Sequence, residues 1–103
     1  MNDKFILNGK IPIVEPDLIK WAQWMEIADR HVAKTIIGNV RVSTVFLGLD
    51  HSFKLGIQPI LFETMIFGGE KDGYQSRYAT WEQAIDGHKF ACSKVFALES
   101  KVK

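Results

Sequence analysis

The 103-residue chain has a single cysteine, Cys92, so no intrachain disulfide can form and a reducing compartment is favoured over secretion. Neither charge is in excess. Thirteen Lys and Arg against twelve Asp and Glu leave +1 with the three histidines neutral, which argues against an electropositive nucleic-acid binder and against an acidic DNA mimic. Long apolar runs are missing too. Met1-Asn2-Asp3-Lys4 leads into only Phe5-Ile6-Leu7, whereas a signal peptide needs about seven apolar residues and a membrane span about eighteen. The expectation is a cytoplasmic protein with no membrane contact. Repeats, linkers and low-complexity segments are absent, and the length suits one domain. The histidines show no HxH, HxxxH or HExxH spacing and no GxxxxGK[ST] loop is present, so neither a metal nor a cofactor is expected. What the chain does have is 47% apolar and 24% charged residues, with seven Phe, three Trp and two Tyr. That is enough surface to bury for a folded domain.

Turn and cap signals divide the chain. Phe5-Ile6-Leu7 and Ile11-Pro12-Ile13-Val14 flank Asn8-Gly9, a pair that tolerates positive φ, so residues 5–14 read as a hairpin. Pro12 lacks an N–H and belongs at a sheet edge. Glu15-Pro16-Asp17 opens a helix over 17–30, with Leu18, Trp21, Ala22, Met25 and Ala28 at helical spacing. A meander follows: strand 31–37, the turn Gly38-Asn39, strand 40–49, a loop over 50–59 and strand 60–67. Gly68-Gly69 ends it, and residues 70–79 read as a polar loop. Thr80-Trp81-Glu82-Gln83 is a capping box. It starts a helix over 80–99 whose stripe is Trp81, Ala84, Ile85, His88, Ala91, Cys92, Val95 and Leu98. Gly87 inside it costs about 1 kcal/mol relative to Ala, and Lys101-Val102-Lys103 reads as a frayed tail. The order ββ-α-βββ-α is an α+β fold, an antiparallel meander packed by two helices.

Strand alternation raises a question of cover. A two-residue turn at Gly38-Asn39 sets Ile37 opposite Val40, Thr35 opposite Val42, Ala33 opposite Thr44 and His31 opposite Phe46. Apolar residues then fall on both faces: Ile37, Val42 and Phe46 on one, Ile36, Val45 and Leu47 on the other. A sheet with one wet face reads apolar on one side only. Either one helix covers each face, or one face is left for a second copy or a host-protein partner.

Asp50-His51 is the most enzyme-like pair, because an aspartate after a strand can orient a histidine as a general base. The alternative is a turn in which the Asp50 carboxylate accepts backbone N–H groups. Glu63 lies mid-strand and needs a partner if covered, with Arg41, Arg77 and Lys34 as candidates. Paired with Arg41 it would mark a polar spot on an apolar interface. With His31 opposite Phe46, His51 lies roughly 17 Å further along, so the two cannot share a metal. His88 and Cys92 sit in the helix stripe and read as packing residues, as do Trp21, Trp24 and Trp81. In the loop GGEKDGYQSR, Lys71, Tyr74 and Arg77 are candidate contact residues.

VRVSTVFLGLDHSF (40–53), PILFETMIFGG (59–69) and RYATWEQAIDGH (77–88), with KFILNGK and ADRHVAKT earlier in the chain, resemble a family of small proteins encoded in tailed-phage genomes and prophages. No activity is established for that family. The loop Lys54-Leu55-Gly56-Ile57-Gln58 departs from its shorter Gly/Pro-rich loops. The resemblance implies a phage accessory protein in the bacterial cytoplasm and transfers no catalytic residue. The leading expectation is therefore a non-catalytic protein that binds other proteins and modulates a host process or defence. The alternatives are a small hydrolase-like enzyme using Asp50 and His51, a minor virion or assembly component, and a small-ligand or nucleotide binder.

Overall fold

The computed structural model describes residues 3–52 and 58–101. The departing loop residues 54–57 and the tail residues 102–103 lie outside the described residues. The elements are β1 (Phe5–Asn8), β2 (Ile11–Val14), α1 (Leu18–Ile27), β3 (His31–Ile37), β4 (Val40–Phe46), β5 (Phe62–Phe67), β6 (Gln75–Tyr78) and α2 (Trp81–Lys101). This is the expected α+β order with one strand added.

β1 and β2 form an antiparallel hairpin in which Asn8 pairs with Ile11. The turn therefore falls on Gly9-Lys10, one residue later than read, and Gly9 supplies the positive φ of 63°. Asp17 caps α1, its Oδ1 accepting from the N–H groups of Ile19 (2.9 Å) and Lys20 (3.1 Å). The helix is shorter than expected because Ala28 is already extended and Asp29 Oδ1 accepts the His31 N–H at 3.0 Å. That local bond turns the chain out of the helix.

The second sheet has the order β3-β4-β5-β6, each strand antiparallel to its neighbour. Ile37 pairs with Val40 around the two-residue turn, as read, but the register shifts between Ala33 and His31, which pairs with Val45 rather than Phe46. The bulge carries the extra residue, and Val32 packs inward beside Phe46. The polar stretch 70–79 is not all loop. Tyr74 and Tyr78 pack against the core, and Gln75–Tyr78 between them pairs with β5 as the edge strand β6.

α2 packs across β3, β4, β5 and β6 on one face, whereas α1 packs on β1. The core has two clusters. Ile37, Val40, Val42 and Ile66 meet Ala91 and Val95 of α2; Phe5, Phe46, Leu61 and Phe62 meet Ala84. Val42, Phe46, Phe62 and Ile66 are fully buried, each contributing roughly 1.5–3 kcal/mol by transfer from water. Small residues on α2 bring the helix close. At Gly87 an added Cβ would lie 2.1 Å from the Tyr78 ring. The hairpin and α1 close the Phe46 end of the core. Trp24 meets Phe46 edge-on at 5.8 Å, and Trp21 Nε1 donates to the carbonyls of Phe5 (3.2 Å) and Gly48 (3.1 Å).

Candidate functional site

With α2 on one face of the sheet, no helix of the described residues packs across the other. Strand pairing arranges its outward residues in three rows: Ile36, Arg41 and Phe67; Lys34, Ser43, Met65 and Gln75; His31, Val45, Glu63 and Arg77. Ile36 is 60% exposed and Phe67 38%, while Val45 and Met65 are half-buried. The face mixes apolar and charged groups, as alternation along β3, β4 and β5 implies.

Its charges are ordered by the register. Glu63 is buried, and its Oε2 accepts from Arg77 Nε at 2.8 Å and from Gln75 Nε2 at 2.7 Å. The partner expected on an interface, Arg41, is not the one found. Arg77 lies directly across from Glu63 and Arg41 across from Phe67. The Arg41 guanidinium instead lies over the Phe67 ring, 4.4 Å from its centroid, a contact worth about 0.5–1 kcal/mol at an exposed site. Of the candidate contact residues, Arg41, Glu63 and Arg77 thus share this face. Lys71 is exposed in the β5–β6 turn. Tyr74 packs on the opposite side, in the α2 cluster, with Lys94 Nζ 5.8 Å above its ring.

Asp50 and His51 serve different partners. Asp50 Oδ1 accepts from the N–H groups of Ser52 (2.8 Å) and Ile60 (2.9 Å), and Oδ2 accepts from Ser52 Oγ (3.0 Å). Burial raises the Asp50 carboxyl, but those hydrogen bonds outweigh it and hold the group below the usual carboxylate range. His51 Nδ1–H donates to the Leu49 carbonyl at 2.8 Å. The carboxylate therefore clamps the two ends of a loop, which is the turn chemistry of an Asx residue.

The histidines are separately engaged. His31 Nδ1 bonds the exposed Asp29 carboxylate at 3.1 Å, and the His31 backbone and side-chain donors hold that carboxyl below its ordinary value. His88 is buried between the two core clusters. Its Nε2 hydrogen-bonds Thr35 Oγ1 and its Nδ1 hydrogen-bonds Thr44 Oγ1, both at 2.8 Å, and Thr44 Oγ1 hydrogen-bonds Thr64 Oγ1. Desolvation pushes the imidazole below its ordinary pKa, so the neutral ring is favoured. It donates from one nitrogen and accepts at the other. The threonine partners escaped the sequence reading, although Thr35 and Thr44 share a strand face and Thr44 pairs directly with Thr64. Among the described residues no group of three or more His, Cys, Asp or Glu is placed to hold a metal ion.

One cleft also went unread. About 320 Å³ opens between the hairpin and the start of α2, lined chiefly by Phe5, Ile11, Pro12, Pro59, Leu61 and Trp81. Lys10 Nζ stands 5.9 Å from the Trp81 ring centroid. No helix of the described residues is long and apolar enough to cross a membrane. No protein-family model, curated protein or solved structure matches the chain.

Proposed function

We propose that the chain is a non-catalytic interaction protein that docks another protein on the open face of its four-stranded sheet. The observation that carries the reading is the one-sided cover. Among the described residues, the helix that spans the sheet packs against one face, and the other presents Ile36, Phe67 and half-buried Met65 and Val45 to solvent. Exposed large apolar groups set about a charged one on a rigid sheet are what a docking surface offers. The shape agrees. The radius of gyration is 15.2 Å and the extents are 52 × 30 × 20 Å, against about 13 Å for a compact domain of this length.

The resemblance to phage and prophage proteins supports a place for this docking in the bacterial cytoplasm, on a host process or host defence. The test is capture from host lysate with the natural chain and with Ile36→Glu/Phe67→Glu. A partner held by the natural chain and lost by the double variant is expected. A control variant, Phe90→Ser, alters an exposed residue of α2 and should hold the same partner. Equal capture by all three would overturn the reading. The cleft beside Trp81 favours a second reading, binding of a small apolar ligand, because its volume falls at the lower end of the range for such sites. Solvatochromic dye binding quenched by Trp81→Ala would support it.

A further inference from the structure

We infer that the open face is built for an acidic amphipathic protein segment, one that sets a carboxylate against Arg41 and apolar side chains on Ile36 and Phe67. The inference rests on the docking proposed above and names the partner's chemistry. Four charged side chains point out of this face from the three outer rows: Lys34, Arg41, Arg77 and Glu63. Glu63 is already engaged by Arg77. Among the described residues neither Lys34 nor Arg41 makes an ion pair. At the corner of the face, Asp29 adds one carboxylate, which accepts from His31, and Arg30 adds one guanidinium, which donates to the Phe46 carbonyl, so the two leave the balance of the face unchanged. The excess among these side chains is positive, and a partner that brings carboxylates would complement it.

Arg41 is prepared for one. Its guanidinium lies over the Phe67 ring, 4.4 Å from the centroid, and among the described residues no ion pair occupies its N–H donors. That planar fork matches a carboxylate through two parallel hydrogen bonds. Holding the side chain in place beforehand lowers the ordering entropy lost on binding. Cross-strand pairing sets Ile36 on one side of Arg41 and Phe67 on the other, each about 4.8 Å away between strands. Lys34 lies one strand over and two residues along, about 8 Å from Arg41 by the same geometry. An apolar–cation–apolar row with a second cation nearby fits a segment whose acids alternate with apolar groups. A second copy of this chain does not fit, because the face would oppose its own excess charge. A nucleic acid fits poorly, because Glu63 puts a carboxylate on the face and Ile36, Phe67, Met65 and Val45 make part of it apolar.

A displayed random-peptide library selected on the intact chain tests the inference, with winners synthesised and measured by fluorescence anisotropy. Winners rich in Asp and Glu beside Leu, Ile or Phe are expected. Arg41→Glu should weaken them at least tenfold, as should Asp/Glu→Asn/Gln in the peptide. Raising salt from about 50 to 300 mM should weaken them several-fold. Circular dichroism checks that the variants fold. Neutral or basic winners that are lost on Phe67→Ser would overturn the acidic partner and leave the docking face standing. Winners untouched by either substitution would overturn both. Self-association abolished by Phe67→Ser, or a single-stranded oligonucleotide bound more tightly than any acidic peptide through Arg41, would also overturn the inference.

Discussion

Gly87, the seventh residue of a 21-residue helix, should, on propensity alone, be improved by alanine. Glycine there costs about 1 kcal/mol relative to alanine, through backbone entropy and lost side-chain contacts. The packing says the opposite. An added Cβ would lie 2.1 Å from Cζ and from the hydroxyl oxygen of Tyr78 and 2.3 Å from its Cε1, where ordinary contact begins near 3.4 Å. The neighbour is a rigid ring, not the end of a flexible chain. Tyr78 anchors β6 by packing against the Phe46 and Phe62 cluster, so it has to retreat and loosen that cluster, or α2 has to lift off the sheet. Overpacking of this kind costs about 1–3 kcal/mol and more where a ring is expelled. Gly87→Ala is therefore expected to destabilise by about 2 kcal/mol net, near 10 °C in Tm for a domain of this size. Urea and thermal melts followed by circular dichroism read it. The decisive measurement is the double-mutant cycle with Tyr78→Ala. In that background Gly87→Ala should become neutral or stabilising by up to about 1 kcal/mol, because only the propensity effect is left. A higher Tm from Gly87→Ala in the natural chain, or the same change in both backgrounds, would refute the packing argument.

His88 titrates below its ordinary pKa because it is buried. The unfolded chain then binds a proton that the folded one resists, so stability is full above about pH 6.5 and falls as pH drops toward the folded value, with a slope of at most about 1.4 kcal/mol per pH unit. Urea melts between pH 5 and 8 should show this slope in the natural chain and not in His88→Gln. Thr44→Val keeps the shape but removes the hydroxyl between His88 and Thr64, and melts should show a loss of about 1–3 kcal/mol from the buried groups left unpaired. Asp50→Ala removes three hydrogen bonds that hold Ser52 and Ile60. It should cost about 1 kcal/mol, speed hydrogen exchange at the Ile60 amide and leave peptide binding at the open face unchanged.

Features with a local cause could be read from the sequence. The start of α2 could, because Thr80 and Gln83 satisfy each other. Gln83 N donates to Thr80 Oγ1 at 3.1 Å, and Gln83 Oε1 accepts from the N–H groups of Ala79 and Thr80. The β3–β4 turn could as well, since a two-residue loop sets its own register. β6 could not. Gln75-Ser76-Arg77 has no apolar residue, and the strand exists because β5 offers an edge and Tyr74 and Tyr78 reach the core. Missing β6 is also why Arg77 was no more than one candidate partner for Glu63. The bulge at Val32 escaped for a similar reason: it answers to packing beside Phe46, not to any turn signal. The candidate site was half legible. Alternation showed apolar groups on both faces, but not which face would take the helix.

That choice follows from what each face would bury. Through its middle the covered face carries Thr35, Thr44 and Thr64, which looks at first like the wetter side. Hydroxyls, however, cost little to bury once each has a hydrogen-bond partner, and a single histidine on α2 joins all three into one network. Placed on the opposite face, the same helix would bury Lys34 and Arg41 without a counter-charge in the stripe. Desolvating two unpaired cations costs several kcal/mol each, more than Ile36, Met65 and Phe67 would return. The helix therefore settles on the threonines, and the apolar groups among the cations stay in solvent. On the docking proposed above, an occupant that brings its own carboxylates would cover them at the least cost, so the charge that turns α2 away would also select the partner.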